Sequence, residues 1–175
     1  MSLLWGSHTI PGRSGLTIKK ILRTGMEIAG DDGIKNLSMR KVAERLGVGT
    51  MSLYNYIPSK SELLELMVDA AYADLYESRN TTEREEDWRI ALRFIARKNW
   101  DILMEHPWVL DAVGGRPILG PHCTLKYEME LQALEGIGLN DIEMDATLSL
   151  VLMYGRELRS TEIEYQGNST SDRHE

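Results

Sequence analysis

The sequence predicts an all-α protein in which a head of three short helices is joined by a fourth helix to a helical body. Three observations support this fold class. Apolar residues recur with the three- to four-residue spacing of a helix along most of the chain. No segment shows the alternation of apolar and polar residues that a half-buried strand requires. Between residues 41 and 67, glycine and proline interrupt the helical pattern at unusually short intervals.

The predicted head covers residues 14–60 and begins with a helix over residues 16–32. A second helix begins after Ser38, whose side chain can cap its first turn, and its apolar residues fall at i, i+3, i+4 and i+7. It ends at Gly47, because a residue just past a helix end often needs the positive φ that glycine adopts cheaply.

A third, very short helix is predicted over residues 49–56. Pro58 stops it, because proline disfavours α geometry at the preceding residue and lacks an N–H. Ser59 is the predicted cap of a fourth helix over residues 59–78, and Glu62 stands at its capping-box position. This fourth helix links the head to the body.

The predicted body covers residues 79–165 and begins with a polar linker over residues 79–86. The last residues, 166–175, are polar enough to predict a disordered tail. The helices predicted for the body are residues 87–105, a short helix between 107 and 114, residues 121–135 and residues 140–161.

Charge is distributed unevenly along the chain. Residues 1–60 hold nine Lys and Arg against four acids, a net charge of +5, and the other 115 residues hold eleven against 23, a net charge of −12. A basic head on an acidic body is expected if only the head meets a polyanion, because phosphate neutralisation drives such binding. A chance fluctuation is the alternative interpretation.

The second helix, the turn over residues 47–49 and the third helix form a helix-turn-helix pattern. In this motif one helix crosses the DNA backbone and the next lies in the major groove, whose width admits one α-helix. The third helix can be short because only its groove-facing end must read bases. A plain helical hairpin with a glycine turn is the alternative. The polar side chains placed to reach phosphate oxygens are Tyr54, Tyr56 and Lys60.

The segment GIKNLSMRKVAERLGVGTMSLYNYIPSKSELLELM carries a capped second helix, an L-G-V turn, an L-Y pair, an aromatic residue at Tyr56 and K-x-x-L-L after the break. In these features residues 18–67 resemble the N-terminal domain of the TetR (tetracycline repressor) family of bacterial transcriptional regulators. The resemblance implies an all-helical DNA-binding head on a larger helical body that dimerises and holds a ligand pocket.

The resemblance also implies which residues of the head contact DNA. Met51 and Asn55 stand where the family varies, so we expect them to help select the operator sequence. For Arg40 the alternative is a weak surface ion pair with Glu44, one helical turn further on. The implied base contacts are Arg40, Thr50 and Met51. The implied backbone contacts are Ser38, Ser52, Tyr54, Tyr56 and Lys60, and Asn55 is suited to a base edge or a phosphate.

The apolar segment LSLVLMY, residues 148–154, predicts a homodimer, because on a monomer it would expose a large apolar patch. Members of the resembled family usually place two long helices at the dimer interface. This chain ends soon after the first of them, so we expect a last dimerisation helix to be missing or to lie outside the given sequence.

Aromatic and thioether side chains in the body suit a pocket for a largely apolar small molecule. We expect this effector to enter between the helices over residues 87–105 and 121–135. The alternative for each residue is that it fills the core. The candidate ligand-binding residues are Trp100, Met104, His106, Trp108, His122 and Tyr127.

The sequence carries no phosphate loop, nucleophile elbow or zinc motif, and its one cysteine, Cys123, has no motif partner. We therefore expect no enzymatic activity, no cofactor, no metal and no membrane association, and no secretory signal is recognised, which predicts a cytoplasmic protein. The function predicted is a ligand-responsive, homodimeric repressor that binds a palindromic operator in double-stranded DNA. The alternatives are a helical interaction module without DNA binding and a small helical enzyme.

Overall fold

The residues that the computed structural model describes are 15–73, 75, 87–112 and 118–171. Side chains of the last helix are described as far as residue 161. In this part of the chain every regular element is a helix, which confirms the all-α prediction. The predicted linker, residues 79–86, and part of the predicted break over residues 114–121 lie outside the described residues.

The head folds as its capping residues predict. Ser38 Oγ accepts a hydrogen bond from the N–H of Lys41 at 3.2 Å, and Gly47 ends the second helix with a φ of 68°. The third helix was predicted to reach residue 56 but ends at Tyr54; the N–H of Tyr56 donates to the carbonyl of Leu53 at 2.9 Å and closes a turn before Pro58. The helices of the head are α1 (Ile18–Asp32), α2 (Met39–Leu46) and α3 (Thr50–Tyr54).

Helix α4, Lys60–Ala71, begins after the predicted N-cap, Ser59. Ser59 Oγ accepts from the N–H of Glu62 at 3.1 Å and donates to the Glu62 carboxylate at 3.3 Å, so Glu62 contacts the cap through its hydroxyl and not through the backbone N–H of a full capping box. The prediction that this helix extends to residue 78 is wrong. It ends at Ala71. There the N–H of Tyr72 donates to the carbonyls of Asp69 and Val68 at 3.2 and 3.3 Å, the tightening typical of a helix end.

The described residues form two compact units. The first contains residues 15–73 with the segment 111–125, and the second contains residues 75–110 with 126–171, in each case as far as they are described. In the first unit α1 approaches α4 closely at Gly25, where a Cβ would lie 2.8 Å from Met67 Sδ. Fully buried side chains fix the three helices of the head on α4; they include Ile21, Ile28, Leu53, Ile57 and Leu63.

The second unit is built on α5, Trp88–Glu105, which packs along the last helix, α8, Asp141–Ser171. Its core is formed by Ile95, Leu134 and Leu148, which are fully buried. Between these helices the chain forms α6 (Val109–Ala112), α7 (Pro121–Leu131) and a 3₁₀ turn (Gln132–Leu134).

Two predicted helix ends in this region are wrong. Helix α7 was predicted to reach residue 135, but a tighter 3₁₀ turn replaces its last residues before Gly136 adopts a φ of 78°. Helix α8 was predicted to end near Thr161 and continues to Ser171, so residues 166–171 are not the disordered tail that their polarity predicted. No proline interrupts this stretch, and a polar sequence can continue a helix that packing has already nucleated.

Candidate nucleic-acid interface

The turn between α2 and α3 holds the two helices in a fixed relation. The N–H groups of Gly47 and Val48 donate to carbonyls of α2 at 3.2 and 3.0 Å, which satisfies the end of that helix. Gly49 is the N-cap of α3. Val42 and Leu53 are completely buried, so one side of each helix is anchored in the core.

The side of α3 opposite Leu53 faces away from the core. The side chain of Met51 is 75% exposed and that of Tyr54 41% exposed, and Asn55 is exposed beside them. Thr50 and Ser52 are half-buried at the start of the helix. The predicted reading residues of α3 therefore lie around an accessible surface of a helix whose orientation is fixed.

Arg40 projects from the first turn of α2 and is paired within its own helix. Its Nε lies 2.8 Å from Glu44 Oε1, and both side chains are largely exposed, at 84% and 61%. The hydrogen bond to Glu44 raises the pKa of Arg40, whose guanidinium is charged in any case. The ion pair that the sequence offered as the alternative is present, and such a pair is weak enough to exchange for another acceptor.

The predicted backbone contacts surround this surface at the helix ends. Ser38 is exposed and uses its oxygen as the N-cap of α2, which leaves its hydroxyl proton for an outside acceptor. Lys60 is exposed at the first position of α4, and Tyr56 is half-buried in the turn before it.

Other cations of the head have structural partners that sequence reasoning missed. Lys41 Nζ lies 2.9 Å from Asp32 Oδ2, and Arg45 lies 3.7 Å from both Asp31 and Asp32. The hydrogen bond from Lys41 lowers the pKa of Asp32. These pairs tie α2 to the end of α1, so the net charge of the head overstates the number of cations free to meet phosphate.

A buried carboxylate in the first unit was also missed. Asp69 of α4 is 5% exposed; its Oδ1 accepts from the N–H groups of His122 and Cys123 at 3.0 and 2.9 Å, and its Oδ2 lies 2.8 Å from His122 Nδ1. Asp69 thus caps the first turn of α7. Gly120 is required beside it, because a Cβ there would overlap the carboxylate. His122, a candidate ligand-binding residue, therefore contacts Asp69 through both its backbone N–H and its imidazole.

The other candidate effector residues belong to the second unit. Trp100 and Met104 lie one turn apart on α5, half-buried and 46% exposed respectively. The ring centroids of His106 and Trp108 lie 5.6 Å apart. Burial lowers the pKa of His106, and the negative charge of Glu105 partly opposes this shift.

Two of these candidates differ in how their polar atoms are satisfied. Tyr127 donates a hydrogen bond to Asp145 of α8, and this bond raises the pKa of Tyr127 to about 12. Trp108 is 4% exposed, and its buried Nε1 has no acceptor among the residues that the structure describes. An unsatisfied buried N–H is costly, so this donor requires an acceptor beyond those that the described residues supply.

Helix α8 carries an exposed apolar face. Its buried side holds Leu148, whereas the other side exposes several large apolar side chains to between 45% and 80%. These residues fall within one broad stripe of the helix, as a surface that packs against a partner does. They are Ile142, Leu150, Met153, Tyr154 and Leu158.

Two kinds of site are absent from the described residues. No cluster of three or more His, Cys, Asp or Glu side chains there could hold a metal ion. None of the helices found there combines the length and apolar character needed to span a membrane.

Two family models match the chain. The model described as bacterial regulatory proteins, tetR family, matches residues 21–67. The model described as tetracyclin repressor-like, C-terminal domain, matches residues 81–173. The first match covers the helix-turn-helix and its flanking helices, and the second covers most of the predicted body.

Curated relatives with similar sequences carry the names of regulators. The HTH-type transcriptional repressor DrrR1 of Streptomyces coeruleorubidus is 37% identical over 155 residues, which is 86% of this chain and 56% of the relative. An HTH-type transcriptional regulator of Saccharopolyspora erythraea is 30% identical over 139 residues, 79% of this chain and 58% of the relative. The chain thus spans little more than half the length of these relatives.

Solved structures share the fold. Apo ActR from Streptomyces coelicolor superposes with a TM-score of 0.76 at 24% identity, covering 88% of this chain and 70% of that chain. BioQ in complex with its double-stranded DNA operator superposes with a TM-score of 0.70 at 26% identity, covering 84% of this chain and 87% of that chain.

Proposed function

Because the chain belongs to the TetR family of bacterial regulatory proteins, we propose that it is a DNA-binding transcriptional regulator, a homodimeric repressor that a small molecule releases from its operator. The observation that carries this proposal is the outer face of α3. It is held by a fixed turn, it exposes Met51, Tyr54 and Asn55, and Arg40 and Lys60 lie on the two helices that flank it. Binding to chromosomal DNA would place the protein in the cytoplasm.

Double-stranded DNA is the first proposed partner. The named relatives are transcriptional regulators, and the BioQ structure contains its DNA operator. In this chain the proposed base contacts are Arg40, Thr50 and Met51. The proposed backbone contacts are Ser38, Ser52, Tyr54, Tyr56 and Lys60, with Asn55 serving either role.

A second copy of the chain is the second proposed partner. The exposed apolar stripe of α8 is costly in water, and an identical stripe on a second copy could cover it around a two-fold axis. A dimer places its two α3 helices on successive major grooves and so reads a palindromic operator.

The proposed effector is a small, largely apolar molecule with a hydrogen-bond acceptor. ActR, a structural neighbour, has been solved with actinorhodin and with (S)-DNPA bound. In this chain the aromatic residues of the second unit, with the buried N–H of Trp108, support such a ligand. The coupling must be reciprocal. The factor by which the effector lowers the affinity for the operator equals the factor by which the operator lowers the affinity for the effector.

Fluorescence anisotropy of a labelled duplex of about 30 base pairs, long enough for two half-sites, tests the DNA-binding role across a salt series. We expect the logarithm of the association constant to fall linearly with the logarithm of salt concentration, with a slope of about −0.9 per phosphate contact. Absence of salt-sensitive binding would favour an interaction module instead. Turnover of a substrate by the purified protein would favour an enzyme.

A further inference from the structure

The ion pair between Arg40 and Glu44 places a carboxylate beside the residue that is proposed to read a base. Among the described residues there are two similar pairs of an Arg Nε and a carboxylate at i, i+4. They are Arg23 with Glu27 at 3.0 Å and Arg97 with Asp101 at 3.1 Å, and all these side chains are 46% exposed or more. Arg40 with Glu44, at 2.8 Å, differs in its place, at the end of α2 that starts the helix-turn-helix.

We propose that Glu44 is a specificity-determining residue, which weakens the contact of Arg40 with phosphate more than its contact with guanine. This inference rests on the proposed DNA-binding function. While the pair is intact, the two side chains carry no net charge, so Arg40 adds little to the attraction that any duplex exerts. A phosphate that approaches Arg40 also meets the negative charge of Glu44.

A base edge does not meet this repulsion. Guanine offers O6 and N7, two neutral acceptors that match the guanidinium fork, and the paired cytosine offers an N4–H donor that a glutamate accepts. Glu44 thus weakens the binding of Arg40 to phosphate more than its binding to guanine. Such a difference in repulsion between two partners creates specificity. An exposed i, i+4 pair shifts an equilibrium only about twofold, so Arg40 can leave Glu44 when guanine is present.

Glu44→Gln tests the inference, because it removes the charge and keeps the shape. Anisotropy is measured on a random-sequence duplex and on a duplex that wild-type protein has selected from a random pool. We expect the affinity for the random duplex to rise about fourfold for two heads, at about twofold each, and the salt slope to steepen by about 0.9 per new phosphate contact. On the selected duplex the change stays within about twofold, so the specificity ratio falls.

Glu27→Gln and Asp101→Asn are matched controls, since each removes one negative charge from a similar exposed pair. We expect them to change the random-duplex affinity less than about twofold. In an Arg40→Ala background, Glu44→Gln should no longer steepen the salt slope, because no arginine remains to form a new phosphate contact.

The inference is overturned if Glu27→Gln matches Glu44→Gln, or if Glu44→Gln steepens the salt slope equally without Arg40, since Glu44 would then act only through net charge. It is also overturned if Glu44→Gln behaves like the controls while wild-type protein binds DNA. A wild-type protein that shows no salt-sensitive duplex binding overturns the proposed function, and this inference with it.

Discussion

Arg40 and Lys60 are both exposed cations of the proposed DNA-facing surface, and they differ in what they are placed to meet. Arg40 stands at the second position of α2, from which a guanidinium can reach a base edge. Replacing Arg40 by Ala should therefore cost about 1–3 kcal/mol on the selected duplex and relax the preference at one base pair in each half-site. Titrations on selected and unrelated duplexes check this; equal losses on both would make Arg40 a backbone contact.

Lys60 should meet only phosphate. Replacing it by Ala is expected to weaken binding to all duplexes alike and to reduce the salt slope by about 0.9 per lost contact, or about two for a dimer. The measurement is the same salt series on both duplexes. A loss confined to the selected duplex would show that Lys60 reads sequence after all.

Protonation of His106 should make the stability of the second unit depend on pH. Burial lowers the pKa of His106 below the usual 6.5, so the unfolded chain binds a proton more readily than the folded one. The contribution of neutral His106 to the free energy of unfolding is fully present above the pKa of the unfolded chain. It is lost as pH falls through about 6.5 towards the pKa of His106 in the folded protein. NMR titration of the imidazole should give a pKa below 6.5, and the melting temperature of His106→Gln should fall less on acidification than that of wild type. A pKa above 6.5 would contradict the burial argument.

At the scale of elements, the start of α7 depends on a residue of α4. Asp69→Ala leaves the N–H groups of His122 and Cys123 without their acceptor and should lower the free energy of unfolding by about 1–3 kcal/mol. Asp69→Asn keeps an acceptor oxygen in place and should cost less. Urea unfolding measures both.

The control for these variants is Asp101→Ala, which removes an exposed carboxylate of α5 and should change stability by less than about 0.5 kcal/mol. If Asp69→Ala costs no more than this control, the buried cap does not hold α7.

Elements closed by local contacts were predictable from the sequence, and those set by distant contacts were not. Ser38, Gly47 and Ser59 act within one or two helical turns, so residue type and spacing reveal the ends of α2 and the start of α4. The cap of α7 joins residues 53 positions apart, and nothing in the local pattern around Asp69 indicates it.

The same distinction holds for the candidate sites. The residues around α3 follow one another in the chain, so a motif identifies them together. The candidate effector residues are spread from Trp100 to Tyr127, and composition alone could not reveal that Asp69 engages His122 or that Trp108 pairs with His106. The continuation of α8 to Ser171 was missed because polarity argues equally for an exposed helix and for a disordered tail.

At the scale of the whole molecule, the proposed function requires a dimer, which we expect to form on the exposed apolar stripe of α8. Leu150→Glu places a charge where the side chain is 67% exposed and should shift the protein towards monomer in sedimentation experiments at micromolar concentration. Arg156→Gln changes the net charge by the same amount at an exposed position away from the centre of the stripe and should leave the dimer intact. A wild-type protein that sediments only as monomer would contradict the dimer.

The proposed function requires that two copies of the helix-turn-helix read DNA sequence together. The most direct measurement is to incubate the purified chain with a pool of random duplexes, recover the bound fraction over several rounds and sequence it. We expect enrichment of one palindrome whose half-site centres lie about 34–36 Å apart, about one helical turn of DNA, or a multiple of that distance. Recovery of duplexes with no common sequence, or with single half-sites that have no fixed spacing, would contradict it.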